Sequence, residues 1–133
     1  MRLIWLEYSL TDIVVTEVSS DAIINQTSYN AWNALDFCNG IHCKRIMTPD
    51  SYKGFLLRYD KGMKTPKHYN SEEYEILQVR DGIIVDLMTN EVYSKGDIIV
   101  YDKGQEHEIK CIDEAYVFCI MTDKQEVVKK IAA

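Results

Sequence analysis

The stretch of sequence that decides the fold runs from Gly62 to Cys111. It begins GMKTPKHYNSEEYE (residues 62–75), continues ILQVRDGIIVDLM (residues 76–88) and ends KGDIIVYDKGQEHEIKC (residues 95–111). Apolar and β-branched runs alternate here with Gly, Asp and Asn, a pattern typical of short strands separated by turns. Two of the three histidines of the chain, His68 and His107, lie in this stretch. We therefore expect it to carry both the sheet and the functional site.

The alternation of side chains along a strand predicts which residues face the interior. Glu75 shares a face with Leu77 and Val79, and His107 shares a face with Ile109. An ionised carboxylate on an apolar face is costly unless it has a partner, and a divalent metal is one such partner. Two imidazoles and one carboxylate form a nitrogen and oxygen donor set that suits Fe(II), Mn(II), Ni(II) or Zn(II).

The rest of the chain is also rich in strand patterns. Strands are expected at 41–47 and 54–60, and a hairpin is expected at Asp81-Gly82 because Asp-Gly between apolar runs favours a tight turn. Two strands are expected within residues 2–18, followed by mixed loop and short helix to residue 39. We expect one domain over residues 1–133, with N-terminal strands and loop at 1–39, a barrel core at 40–121 and a C-terminal helix at 122–132.

Two groups of residues in the Gly62–Cys111 stretch resemble the two sequence motifs of the cupin superfamily. The first group is Gly62, His68, Asn70, Glu75 and Gly82. The second group is Gly96, Asp102, Gly104, His107 and Cys111. The resemblance implies an all-β fold, the cupin-type double-stranded β-helix or jelly-roll barrel, with a short C-terminal helix added here.

The resemblance also implies a metal site. In the family, two histidines and a glutamate of the first motif and a histidine of the second bind the metal. These positions fall on His68, Asn70, Glu75 and His107, and the implied cofactor is a divalent transition metal, Fe, Mn, Ni or Zn. Asn70 stands where histidine is usual, so it is either a weak neutral ligand or leaves a coordination position open. Asp102 replaces a proline and Cys111 an asparagine.

Ordinary structural roles compete with this interpretation. His68 and His107 could be hydrogen-bonded residues in the mouth of a metal-free barrel, and Glu72 and Glu73 compete with Glu75 as the carboxylate ligand. Cys111 is favoured as a small core residue, although its parity also allows it to line the pocket. The residues expected to form the pocket wall are Leu57, Tyr59, Leu77, Val79 and Cys111.

Composition limits the classes of partner. The chain has 133 residues and a net charge of −6, and its Lys and Arg residues are scattered among acidic ones. This disfavours binding to nucleic acid or to an anionic membrane. The apolar run Leu3 to Leu6 is too short for a signal peptide or a membrane span, so a cytoplasmic protein with reduced cysteines is expected.

Two functions remain open from the sequence. One is a metal-dependent enzyme that acts on a small metabolite as a dioxygenase, isomerase, lyase or cyclase, with no catalytic residue identifiable beyond the metal ligands. The other is a non-catalytic ligand-binding or sensor cupin, with or without metal. A homodimer is expected, with Leu3 to Leu6 as a candidate contact.

Overall fold

The computed structural model describes residues 15–49 and 52–132, and strands dominate them. The expected strand at 2–8, the first four residues of the expected strand at 11–18, and the Leu3 to Leu6 contact lie outside the described residues, and the rest of the second strand contains a short strand at Thr16–Glu17. In chain order the elements are β1 (Thr16–Glu17), α1 (Ser20–Asn25), β2 (Asn33–Ala34), β3 (Ile41–Ile46), β4 (Lys53–Tyr59), β5 (His68–Tyr69), β6 (Tyr74–Asp86), β7 (Glu91–Tyr93), β8 (Ile98–Tyr101), β9 (Ile109–Thr122) and α2 (Gln125–Ala132). The predicted all-β class with a short C-terminal helix is confirmed.

The main sheet is built around the antiparallel pair β6 and β9. Its strand order is β2-β3-β4-β9-β6-β7, and β8 pairs with β6 beside this path. A separate parallel pair joins β1 to β5. The inward faces of β3, β4, β6 and β9 enclose one core, which includes Cys43, Phe55, Leu77, Val117 and Met121. None of the helices in the described ranges is long and apolar enough to cross a membrane.

The expected hairpin at Asp81-Gly82 is not formed. β6 runs through these residues and stays paired with β9, and the register shifts between Val79 and Asp81, between Asp81 and Ile83, and again before Ile84. Such bulges bend and twist a strand, which lets both long strands curve around the core instead of turning back. Gly82 serves this bend with a φ of +84°.

The segment between β1 and β3 covers one end of the barrel. Ser19 caps α1 by accepting a hydrogen bond from the Ala22 backbone N–H, as N-cap serines commonly do. Ile23 and Leu35 are buried against the core, and Val18 and Phe37 pack beside them. We call residues 18–38 the cap segment. The sequence predicted mixed loop and short helix here, and apolar packing holds it in place.

Two backbone hydrogen bonds bring the two motif regions together. The His68 N–H donates to the His107 carbonyl at 2.9 Å, and the His107 N–H donates to the His68 carbonyl at 2.8 Å. Thr65 and Ile109 extend this contact, since the Thr65 N–H donates to the Ile109 carbonyl and the Ile109 N–H to Thr65 Oγ1. The two histidines are therefore fixed opposite each other by the backbone itself.

Replacing Gly82 by alanine tests the bend. An added Cβ would lie 2.2 Å from the Glu114 carbonyl oxygen and 2.6 Å from Ala115 Cα. Backbone strain and this clash together should lower the free energy of unfolding by about 3 kcal/mol. Gly62 is the matched control, because its φ is +83° but no atom lies within 4 Å of an added Cβ. Gly62→Ala should cost about 1 kcal/mol. Equal losses in urea denaturation would contradict the role of Gly82.

Candidate functional site

A small cavity of about 40 Å³ lies between the barrel and the cap segment. Its wall is mostly apolar. The apolar residues contributed by the barrel include Ile41, Phe55, Leu57, Leu77 and Ile109, and those contributed by the cap segment are Val18, Ile23, Leu35 and Phe37. The polar groups at the wall come from Tyr59, Thr65, His68, Glu75 and His107. A cavity of this volume has room for a few water molecules and not for a metabolite.

Both histidines are oriented by the backbone two residues before them. His68 Nδ1 lies 2.7 Å from the Pro66 carbonyl, and His107 Nδ1 lies 3.1 Å from the Gln105 carbonyl. A carbonyl only accepts, so each Nδ1 carries the hydrogen and each neutral ring keeps its lone pair on Nε2. Metal-binding histidines are oriented in this way, with the other ring nitrogen donating to a carbonyl or carboxylate. The ring centroids of His68 and His107 are 4.1 Å apart.

Glu75 is the carboxylate that faces these rings. Its Oε2 lies 3.3 Å from His107 Nε2, and its side chain is 15% exposed. Although close, this contact does not meet hydrogen-bond geometry, and the buried His107 Nε2 has no hydrogen-bond partner among the described residues. The two atoms lie close enough to each other to bind a common ion.

Charge interactions decide the protonation of the metal-free site. Burial alone would raise the pKa of Glu75, but the positive charges of His107 and His68 hold it below its usual value. Burial would lower the pKa of His107, and the negative charge of Glu75 raises it instead. Burial and the neighbouring His107 lower the pKa of His68. The metal-free site therefore favours ionised Glu75, protonated His107 and neutral His68.

A buried, hydrogen-bonded pair formed by Asp86 and Tyr101 packs against the ring of His107. The Tyr101 ring stacks on the His107 ring with centroids 3.9 Å apart and planes 6° apart. The Tyr101 hydroxyl donates to Asp86 Oδ2 at 2.7 Å, and the Met88 backbone N–H donates to Asp86 Oδ1 at 2.8 Å. Asp86 is 2% exposed. Sequence reasoning missed this pair, because only the pairing of β6 with β8 places Tyr101 within reach of the site.

Phe37 is a further residue that sequence reasoning left out of the site. Its ring centroid lies 5.3 Å from that of His68, tilted by 58°. The cap segment that carries Phe37 is held by polar contacts: Ser20 Oγ donates to Glu73 Oε1, and Lys53 Nζ lies 3.5 Å from Asp21 Oδ1. An apolar residue followed by Cys38 gives no sequence signal for a site, so only the packing of the cap reveals this position.

Asn70 lies beside the site, but its side-chain oxygen accepts hydrogen bonds from the backbone. Its Oδ1 accepts hydrogen bonds from the Glu72 N–H at 2.9 Å and the Glu73 N–H at 3.1 Å. Its Nδ2 is buried without a partner among the described residues. Its backbone carbonyl accepts from the Gly104 N–H at 2.7 Å, which ties the two motif regions together a second time. The side-chain oxygen of Asn70 that would bind a metal therefore already accepts hydrogen bonds within the loop.

The expected pocket residues divide into two groups. Leu57, Tyr59 and Leu77 line the cavity, whereas Val79 and Cys111 are buried but do not reach its wall. Cys111 instead donates its thiol hydrogen to the Asp113 carbonyl at 2.9 Å. Burial raises the pKa of Cys111 to about 11, so the group stays a thiol. The interior parity predicted for both residues holds, but they belong to core layers away from the cavity.

Cys119 lines the cavity and was not expected there. Burial raises the pKa of its thiol, and the nearby charge of Glu75 raises it further. Thiolate is the form of cysteine that binds metals. Nitrogen and carboxylate donors are therefore the ones that this cavity offers at neutral pH.

The donor set fits a divalent metal chemically, but its atoms do not converge on a single point. Across residues 15–49 and 52–132, no group of three His, Cys, Asp or Glu side chains is close enough to hold an ion. The free Nε2 of His107, the fixed tautomers and the facing carboxylate of Glu75 nevertheless match the needs of such an ion. A small movement of side chains would have to accompany binding.

Comparison with solved structures identifies the architecture. KdgF from a Halomonas species matches with a TM-score of 0.65 and 16% identity, over 71% of this chain and 87% of that one. An RmlC-like cupin from Shewanella frigidimarina matches with a TM-score of 0.61 and 13% identity, over 74% and 87% of the two chains. The protein has the cupin fold. At these identities the likeness establishes the fold alone.

A third solved structure is similar over a shorter part of the chain. The polyketide cyclase RemF from Streptomyces resistomycificus matches with a TM-score of 0.57 and 13% identity, over 66% of this chain and 68% of that one. No protein-family model and no curated protein sequence matches this chain. The function must therefore be argued from the cavity of this protein itself.

Glu75→Gln tests the electrostatics of the metal-free cavity. The negative charge of Glu75 raises the pKa of His107, and burial lowers it. Without that charge the pKa of His107 should therefore fall, which NMR titration of chelator-treated protein would measure. The Glu75–His107 pair stabilises the wild type fully between pH 4.5 and 6.5, the ordinary values of the two groups. That stability disappears as pH falls through the lowered pKa of Glu75 or rises through the raised pKa of His107.

The stability difference between wild type and Glu75→Gln should thus be largest between pH 4.5 and 6.5 and shrink on both sides. Glu114→Gln is the control, because Glu114 is exposed and lies outside the cavity wall. An unchanged His107 pKa in Glu75→Gln would contradict the proposed charge coupling.

Proposed function

We propose that this cupin binds a divalent transition metal through His68, Glu75 and His107, and presents it to a small metabolite. The observation that supports this is the shared orientation of the two imidazoles. Each gives its Nδ1 hydrogen to a backbone carbonyl, so Nε2 is the ring atom left to bind a metal at a cavity that Glu75 also lines, once His107 releases the proton that it carries in the metal-free site. A structural histidine has no need of a free, buried nitrogen, which is costly without a partner.

The three side chains supply two neutral nitrogens and one negative oxygen. When bound, a metal of the Fe, Mn, Ni or Zn group would polarise a ligand oxygen or activate water. Asn70 does not complete this set, since its oxygen accepts two backbone hydrogens. A three-residue set leaves coordination positions open for a substrate or water, as catalytic sites require.

The chain's own residues then define what can reach that position. Tyr59 lines the cavity, and burial together with the charge of Glu75 raises its pKa, so its hydroxyl remains a donor. The apolar walls lower the local dielectric constant, which strengthens each polar contact inside. Because the cavity holds only about 40 Å³, a metabolite larger than a few atoms can enter only when Phe37 and the cap segment move outward.

A second function is favoured by one observation. Glu75 and His107 lie in direct contact, and the donors are not gathered into a three-residue cluster anywhere in the described ranges. A metal-free cupin that binds a small ligand against this ion pair would need no further change. The proposal of metal binding and this alternative differ in whether metal stabilises the protein.

Metal titration separates them, with the third histidine of the chain as a matched control. Chelator-treated protein is titrated with Fe(II), Mn(II), Ni(II) and Zn(II) while its melting temperature is followed. A metal present at one hundred times its Kd should add about 2.7 kcal/mol of stability. His68→Ala and His107→Ala should lose this gain.

His42→Ala should keep the gain, because His42 lies on the strand surface beside Asp60 and away from the cavity. Elemental analysis should find about one metal per chain in the wild type and in His42→Ala only. Stabilisation by no metal, together with an absence of metal in the purified protein, would reject the metal site and leave the ligand-binding alternative.

A further inference from the structure

A second cavity of about 190 Å³ lies at the end of the β3–β4 hairpin. We call it the hairpin cavity and define it by Tyr29, Arg45, Thr48, Tyr52, Lys53 and Phe55. Phe55 also lines the central cavity, so the two spaces adjoin at this residue. The hairpin cavity has no part in the proposed metal site, and its wall is mainly polar rather than apolar.

Strand parity makes the two cations of the hairpin cavity unusual. Arg45 continues the face of β3 on which Ile41 and Cys43 are buried. Lys53 continues the face of β4 on which Phe55 and Leu57 are buried. Apolar residues are expected at the interior positions of a strand, and a charge there is costly without a partner. Both cations are half-buried at the end of this face.

Only one of these two cations is neutralised by the part of the chain that the structure describes. Lys53 Nζ lies 3.5 Å from Asp21 Oδ1 and 3.8 Å from Glu73 Oε2. Arg45 has no carboxylate within ion-pair distance among residues 15–49 and 52–132, although the chain carries a net charge of −6. Its guanidinium lies over the Tyr29 ring, 4.6 Å from the centroid. This stacking holds the planar group in place and leaves its N–H edge available.

We propose that the hairpin cavity binds a small oxyanion, a carboxylate or a phosphate, through the guanidinium of Arg45. A guanidinium presents parallel N–H donors that match two oxygens of either group. Lys53 adds positive potential on the opposite strand, and Tyr29 and Tyr52 form aromatic walls. An apolar cavity of about 150 Å³ is known to hold benzene, so 190 Å³ suffices for a three- or four-carbon acid or a phosphate group.

The test uses the full chain after chelator treatment, so that no metal in the central cavity binds the probe. Inorganic phosphate and malonate are titrated separately by calorimetry at one low ionic strength, because salt screens this attraction. The wild type should bind one anion per chain with saturation. Arg45→Met should weaken binding at least tenfold, the loss expected for charge-assisted hydrogen bonds. Arg45→Lys, which keeps the charge without the planar fork, should fall between the two.

Arg58→Met is the matched control. Arg58 also lies over an aromatic ring, 5.1 Å from the centroid of Trp32, and has no carboxylate partner among the described residues, but it lies outside the hairpin cavity. Arg58→Met changes the net charge by the same amount as Arg45→Met, and it should leave the Kd for the anion unchanged. Saturable binding of malonate alone would indicate a carboxylate ligand, and saturable binding of phosphate alone would indicate a phosphate ligand. No saturable binding of either anion, or equal Kd values for wild type and Arg45→Met, would overturn the proposal.

Circular dichroism and melting temperature check that each variant is folded. Should Arg45→Met fail to fold, Arg45→Lys and the NMR signals of the Arg45 guanidinium in the wild type still decide the matter. Phosphate or malonate should shift those signals and leave the Arg58 signals in place. The metal titration is independent of this result, because neither Arg45 nor Lys53 contacts His68, Glu75 or His107.

Discussion

The site depends on one antiparallel bridge between two residues that are far apart in the sequence. His68 and His107 exchange both of their backbone hydrogen bonds, so the two imidazoles emerge from directly opposed positions. Side chains of an opposed pair lie close together on one face of a sheet, and here their ring centroids are 4.1 Å apart. Glu75 faces the two rings from β6. The backbone therefore sets the relative position of the two histidines.

Each imidazole ring could still rotate, and two kinds of contact prevent this rotation. Carbonyls of Pro66 and Gln105 fix the Nδ1 edges. Tyr101 then fixes the plane of His107 by stacking, and Asp86 fixes Tyr101 by a buried hydrogen bond. A buried carboxylate such as Asp86 is costly unless it is hydrogen-bonded, and it accepts from both Tyr101 and the Met88 backbone. The contacts that hold His107 in place therefore run through Tyr101 to Asp86, away from the cavity.

Sequence reasoning reached the parts of this arrangement that rest on local pattern. Strand parity placed Glu75 and His107 on interior faces, and both line the cavity. It failed where the fold depends on long-range pairing. Asp81-Gly82 favours a hairpin locally, but continued pairing of β6 with β9 absorbs it as a bulge. Phe37, Asp86 and Tyr101 come from separate parts of the chain, and no spacing in the sequence links them to His68 or His107 before the strands are paired.

The small volume of the central cavity follows from the cap segment rather than from the barrel. Four apolar side chains of the cap segment fill the open end, and Phe37 contacts the ring of His68. The Asp21–Lys53 ion pair of this segment is at the surface, because Asp21 is 78% exposed and Lys53 is 35% exposed. Exposed ion pairs contribute little, typically below about 1 kcal/mol, so apolar packing and the partly buried Ser20–Glu73 hydrogen bond hold the cap segment in place. Under the proposed function, a ligand with an apolar body would replace that packing as it enters, whereas a fully polar one would not. The mostly apolar wall of the central cavity thus contrasts with the polar wall of the hairpin cavity, and Phe55 lines both.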